Sequence, residues 1–172
     1  MISYLSSILT QNDCAQCKFC CLFERPAAWE TPLFSKKQTS LLKKKYGDFA
    51  VKPVGNSFTL NMEPLYKTDS NDEFAPCPFL DQKKGCILKD TEKPFDCKIW
   101  PLRIMRQNKD IVIVLTPTCT AINNQPIEKI KKLVVQDGLG EVLFKEAQKT
   151  PDIIKDYRKD FPILMRKEYM QC

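Results

Sequence analysis

The spacing of apolar and polar positions changes along this chain, and the change predicts where strands give way to helices. In "SKKQTSLLKKKYG", from Ser35, Leu41 and Leu42 sit on one face among lysines, Ser35 can cap the first turn and Gly47 can end the last. That pattern predicts one short helix. "SFTLNM", from Ser57, reads as a strand. Between residues 61 and 85 proline, aspartate, asparagine and serine are frequent and no period emerges. This predicts a long loop that something other than a core must order.

Two strand-like runs follow, Leu102 to Arg106 and Ile111 to Leu115, separated by "QNKD", and they predict a hairpin. From Pro126 the period becomes helical. Ile127, Ile130, Leu133 and Val134 fall at i, i+3 and i+4 spacing and Gly138 can end the run. A second helix is predicted near Glu141 to Lys149. Thr150 and Pro151 then look like a cap and first turn leading into "DIIKDYRKDF", which Pro162 interrupts. The expected fold class is α+β: a small irregular core with a β-hairpin, packed by short helices and a C-terminal helical segment.

Length permits one domain over residues 1–172, since a chain of roughly 150 residues buries about two-thirds of its unfolded surface. No stretch reaches the ~18 apolar residues of a membrane span, and "MISYLSSILTQND" lacks a basic region followed by a long apolar one. A cytoplasmic protein with no membrane partner is expected. The chain has nine cysteines and no histidine. In a reducing compartment an odd, high cysteine count points to metal binding before disulfides.

The cysteines fall at 14, 17, 20, 21, 77, 86, 97, 119 and 172. Chemistry therefore divides the chain into a cysteine-bearing core region, 14–120, and a helical segment, 125–172. "CAQCKFCC" contains two C-x2-C steps in succession, a spacing at which a tight turn brings sulfurs to one side of the backbone. Three such thiolates completed by a distant cysteine before proline suit a [4Fe-4S] cluster, and Cys77-Pro78 offers that fourth ligand. Zinc makes an equal claim, because eight cysteines can furnish two closed tetrahedral sites. Adjacent side chains diverge in most backbone conformations, so Cys20 and Cys21 are expected to serve different metals, or one to pack beside the other. Cys172 stands outside any spaced motif and is expected to be unligated.

The net charge of +6 would ordinarily invite a nucleic-acid or membrane reading. Thiolates change this, because their charge offsets part of the basic excess. Lys18, Lys83, Lys84, Lys98 and Arg103 are close enough in sequence to cysteines to balance them.

"CAQCKFCC", "CPFL" at Cys77, "GC" at Gly85 and "KPFDCKIWP" at Lys93 together resemble the YkgJ-type cysteine-cluster proteins, described as a zinc- or iron-chelating domain and related to flagellin lysine methylases. The resemblance covers about residues 14–120. It implies Cys14, Cys17, Cys20, Cys21, Cys77, Cys86 and Cys97 as the chelating set, with Cys119 as an eighth member. Two positions depart from the family pattern: Phe19 replaces a small residue, and Lys93 replaces an arginine before proline. Both bear on the surroundings of the sulfurs and leave the ligands in place. Phe79, Phe95 and Trp100 are expected to be plain core residues; the alternative is that they shield such a site from water.

Two functions remain open. One is a metal-binding module holding an iron–sulfur cluster or zinc, with a structural role or a protein partner. The other is an iron–sulfur-dependent enzyme related to protein-lysine methylases. The first is preferred, because the chain has no glycine-rich nucleotide fingerprint, only five glycines and no histidine base. Nucleic-acid binding is set aside for want of a basic stripe interleaved with exposed aromatics.

Overall fold

The computed structural model describes Tyr4, Leu5 and residues 7–168. The side chains of Gln11 and Cys14 lie outside the described residues, as does Cys172. The fold is α+β, and among the described residues the helices have at most eleven residues and the strands form four small sheets. No described helix is long and apolar enough to cross a membrane. Contacts gather into two compact units, one of Thr10–Lys98, the other of the described residues before Thr10 with those from Ile99 onward.

The first unit opens with helix α1 (Gln11–Cys17), which Lys18 ends in the left-handed region (φ 55°), and a 3-10 turn at Phe19–Cys21 follows. Strand β1 (Leu22–Glu24) comes next, then β2 (Leu33–Phe34), helix α2 (Lys36–Tyr46), β3 (Val51–Val54) and β4 (Ser57–Leu60). β2, β4 and β3 form one antiparallel sheet. The ends of α2 are those the sequence predicts: Ser35 Oγ accepts from Gln38 N–H at 3.1 Å, and Gly47 adopts φ 90° as its N–H bonds the Lys43 carbonyl. Its face is different. Leu42 is 2% exposed and Leu41 58%, because successive helical residues point roughly 100° apart and only one of the pair can face inward.

The stretch expected as a long loop carries β5 (Phe74–Pro76), β6 (Leu80–Asp81) and β7 (Gly85–Cys86). β5 pairs with β1, and β6 with β7. Its irregular part is held by side chains. Glu73 accepts from Lys67 N–H at 2.6 Å and Thr68 N–H at 2.7 Å, while Arg25 bonds the Thr68 carbonyl and the Glu63 carboxylate. Helix α3 (Phe95–Ile99) follows. Phe23, Phe34, Leu42, Phe49, Leu60, Met62, Ala75, Phe79 and Leu88 make the core, and the rings of Phe34, Phe49 and Phe79 meet at centroid distances of 4.9 to 6.2 Å. Phe79 is therefore core, as expected.

In the second unit β8 (Leu102–Gln107) and β9 (Asp110–Leu115) form the hairpin the sequence predicts, each one residue longer than the apolar run, with Asn108 at φ 56° in the turn. After α4 (Thr120–Asn123), helix α5 (Ile127–Lys131) passes into one π turn at Lys132–Gln136, and α6 (Leu139–Lys149) follows. The helical pattern then stops. "DIIKDYRKDF" is not a helix: it forms one 3-10 turn at Pro151–Ile153 and the short strand β10 (Lys155–Asp156), parallel to β8. β11 (Ile163–Glu168) pairs with β9, completing a sheet in the order β10-β8-β9-β11. The hairpin's free edges thus capture the segment on both sides of Pro162, and their ladder bonds outweigh its weak helical period.

Candidate metal centre

Four stretches of the first unit carry seven of the eight predicted ligands. α1 carries Cys14 and Cys17, and the turn after Lys18 carries Cys20 and Cys21. Pairing of β1 with β5 then sets the two motifs side by side, and the Cys77 N–H donates to the Cys21 carbonyl at 2.7 Å. A turn closed by Leu80 N–H to the Cys77 carbonyl, 2.9 Å, leads into the β6–β7 hairpin, where Cys86 stands opposite Leu80. Cys77 and Cys86 both pack against the aromatic core.

α1 rests on that hairpin at Gly85. A Cβ there would stand 3.1 Å from the Ala15 Cα, and Gly85 has φ 77°, so both space and backbone call for glycine. Lys18 Nζ donates to the Gln82 carbonyl and fastens the same contact. Cys97 comes from α3, whose Asp96 is buried and accepts from Leu33 N–H at 2.9 Å, tying α3 to β2.

The thiols sense one another. Hydrogen bonding with the Cys21 side chain, then burial and the nearby Cys21 and Cys17, raise the Cys20 pKa. Burial pushes Cys77 up to about 12, with Cys86 and Cys20 adding to it. Burial also raises Cys86, again with Cys20 contributing and Lys93 opposing. Cys97 is raised well above the usual thiol range by desolvation first, then by Cys77, Asp96, Cys20 and Cys86. As a residue Cys97 is exposed. Six cysteines thus form one electrostatic neighbourhood centred on Cys20. Cys21 is the first cause of the rise at Cys20, so the two thiols are neighbours.

These thiols are neighbours and do not yet converge on one point: among the described residues no three Cys, Asp or Glu side chains are grouped closely enough to hold an ion. The chemistry of the donors nevertheless fits a metal. The neutral thiol is favoured at Cys20, Cys77, Cys86 and Cys97, and Lys93 opposes the rise at Cys86. A bound cation supplies the missing positive charge and stabilises thiolates.

Two of the expected balancing residues are engaged elsewhere. Lys18 is engaged with a carbonyl, and Arg103 is buried in the second unit with its guanidinium 4.4 Å from the Trp100 ring centroid. Lys93, noted in the sequence as a departure from the arginine of the family pattern, acts on Cys86 and bonds Asp90 at 2.8 Å. Cys119 lies in the second unit, buried just before α4, where its carbonyl accepts from Asn123 N–H. The Cys14 side chain and Cys172 are outside the described residues.

Sequence reasoning singled out Gly85 and Lys93 through the motifs that contain them and missed Asp96, whose hydrogen bond to Leu33 N–H no local pattern announces. No family model, no curated protein and no solved structure matches the chain.

Proposed function

We propose that this chain is a metal-binding cysteine-cluster protein of the cytoplasm, holding an iron–sulfur cluster or zinc through cysteine thiolates for a structural or partner-linked role. The observation that carries this reading is the meeting of Cys17, Cys20, Cys21, Cys77, Cys86 and Cys97, from segments up to 80 residues apart, in a neighbourhood with little positive charge. The order of the motifs, which resembles that of YkgJ-type proteins, supports it. Within the proposal Cys14 joins the ligand set, and Cys119 is the eighth member that the resemblance implies.

A bound cluster would supply one-electron redox capacity, and bound zinc a rigid cross-link. The chain's own part is to gather the sulfurs on two β pairings and two short helices, to shield Cys77 and Cys86 with the Phe79 side of the core, and to moderate charge through Lys93. Of the two cofactors, the three closely spaced thiolates of C-x2-C-x2-C favour iron–sulfur.

Protein purified without oxygen and assayed for iron, acid-labile sulfide, zinc and visible absorbance tests the proposal. A brown preparation with iron and sulfide supports the cluster. A colourless one with zinc exchanges the cofactor and keeps the site. A preparation free of all three, in which every thiol reacts with a chromogenic disulfide at once, overturns the metal reading.

A further inference from the structure

Helix α2 has a solvent face that its own stability does not explain. Leu41, 58% exposed, is flanked at i−4, i+3 and i+4 by Lys37, Lys44 and Lys45, all exposed. Among the described residues, Lys43 pairs with Asp48 at 2.6 Å and Lys45 with Glu92, whereas no ion pair engages Lys36, Lys37 or Lys44. Lysines in the last turn suit the helix dipole, but Lys36 and Lys37 occupy the first turn, where the dipole opposes cations and no acidic residue offsets them.

These side chains line an open groove of about 630 Å3 that reaches across to Thr91 and Glu92. The groove is a fixed feature, because Gln38 Nε2 donates to the Glu92 carbonyl at 2.8 Å and Tyr46 Oη donates to the Glu92 carboxylate at 2.7 Å. An apolar side chain at the middle, with unpaired cations around it, is the complement of a particular kind of ligand.

We propose that the α2 groove docks an acidic amphipathic segment of a partner protein, whose carboxylates meet Lys37 and Lys44 and whose apolar side chain covers Leu41. Charge complementarity selects the sign of the partner, and the exposed leucine selects a peptide over a nucleic acid, which binds through basic tracks interleaved with aromatic platforms. None of the residues lining the groove is aromatic. The docked segment also touches the turn at residues 89–93, and that turn ends in Lys93, whose charge acts on Cys86. Binding at α2 therefore sets a partner against the loop that borders the cysteine neighbourhood.

The test uses a synthetic peptide of glutamates with leucines at helical spacing, titrated into the full-length, isotope-labelled protein and followed by amide chemical shifts. Shifts confined to α2 and residues 89–93 are expected. Affinity should fall at least ~tenfold in the double variant Lys37→Glu/Lys44→Glu, fall in Leu41→Ser, and weaken with added salt. All three positions are exposed, and unchanged far-ultraviolet dichroism shows that the variants fold.

Three results would overturn the proposal: no binding; equal binding of a glutamate-only peptide, which marks simple ion exchange; or tighter binding of a single-stranded oligonucleotide at the same face. Metal content measured on the same variants is expected to be unchanged, so failure of the docking proposal and failure of the metal proposal are read separately.

Discussion

The backbone N–H of Cys77 donates to the carbonyl of Cys21 at 2.7 Å, and this bond joins two cysteine motifs separated by more than fifty residues. It continues the β1–β5 ladder, in which Leu22 stands opposite Pro76. The thiol neighbourhood is thus built from main-chain pairing. Side-chain replacement within it removes a donor without dissolving the framework, whereas changes that shift the pairing elements move several sulfurs at once.

Gly85→Ala is expected to do the latter. The new Cβ stands 3.1 Å from the Ala15 Cα and 3.3 Å from its Cβ, and residue 85 keeps a positive φ that alanine adopts only with strain. A cost of roughly 1–3 kcal/mol follows, together with a shift of α1 away from β7. Chemical denaturation measures the first. The second is read from metal content, which should fall although no cysteine has changed; full metal content with wild-type stability would show that α1 does not depend on this contact.

Asp96 is a second organiser. Its buried carboxylate accepts from the Leu33 N–H at 2.9 Å, so Asp96→Ala leaves a buried donor without that acceptor and is expected to cost about 1–3 kcal/mol. Asp96→Asn keeps an acceptor oxygen and should cost less. Equilibrium unfolding of both variants measures the difference, and equal losses would mean that charge, and not this hydrogen bond, is what the site requires.

What the sequence revealed follows from the range over which each feature is determined. The limits of α2 depend on Ser35 and Gly47, which act on their own neighbours, and both were legible. The burial of Leu42 instead of Leu41 depends on where the core lies, which no local pattern states. The β8–β9 hairpin is local and was legible. β10 and β11 were not, because their partners lie about fifty residues earlier and Pro162 breaks any period that might announce them. The segment 61–85 looked structureless because its order comes from one carboxylate, Glu73, capturing two backbone N–H groups, and from Arg25 far upstream. For the cysteines, residue type and spacing disclosed the candidates. Their grouping about Cys20 required the fold, as did the placement of Cys119 in a different unit from those six.

Acid should expose the role of Glu92. Hydrogen bonds from Lys45, Tyr46 and the Lys89 N–H hold its pKa down to about 2, against an ordinary 4.5. A carboxyl depressed in the folded state stabilises it fully above the unfolded value and loses that contribution as pH falls through the folded one. The Glu92 contribution is therefore present above about pH 4.5 and lost between there and about pH 2. Thermal unfolding of the protein and of Glu92→Gln across this window is the measurement. The gap between their Tm values should narrow as pH falls, and a gap that stays constant would remove Glu92 from the acid response.

The ligand set is tested one cysteine at a time. Cys17 and Cys97 stand at opposite ends of the sequence region that converges, the first in α1 and the second in α3, and both act on Cys20 or are acted on by it. Cys17→Ser and Cys97→Ser are each expected to lower metal per chain, because serine preserves volume but does not supply a thiolate at neutral pH. Cys172→Ser is expected to leave it unchanged, since that residue belongs to no spaced motif. Elemental analysis of protein purified without oxygen gives the stoichiometry. Hydrogen exchange on the same samples, with and without chelator, then tells whether metal also protects residues 61–100. Protection there should rise with metal, as binding energy at a gathered thiolate site is also folding energy. Glu73 and Arg25 already order residues 63–73, so the gain is expected to concentrate on 77–97, where Cys77, Cys86 and Cys97 lie. Equal protection in both samples, or loss of metal from the Cys172 variant alone, would show that the ligands lie elsewhere.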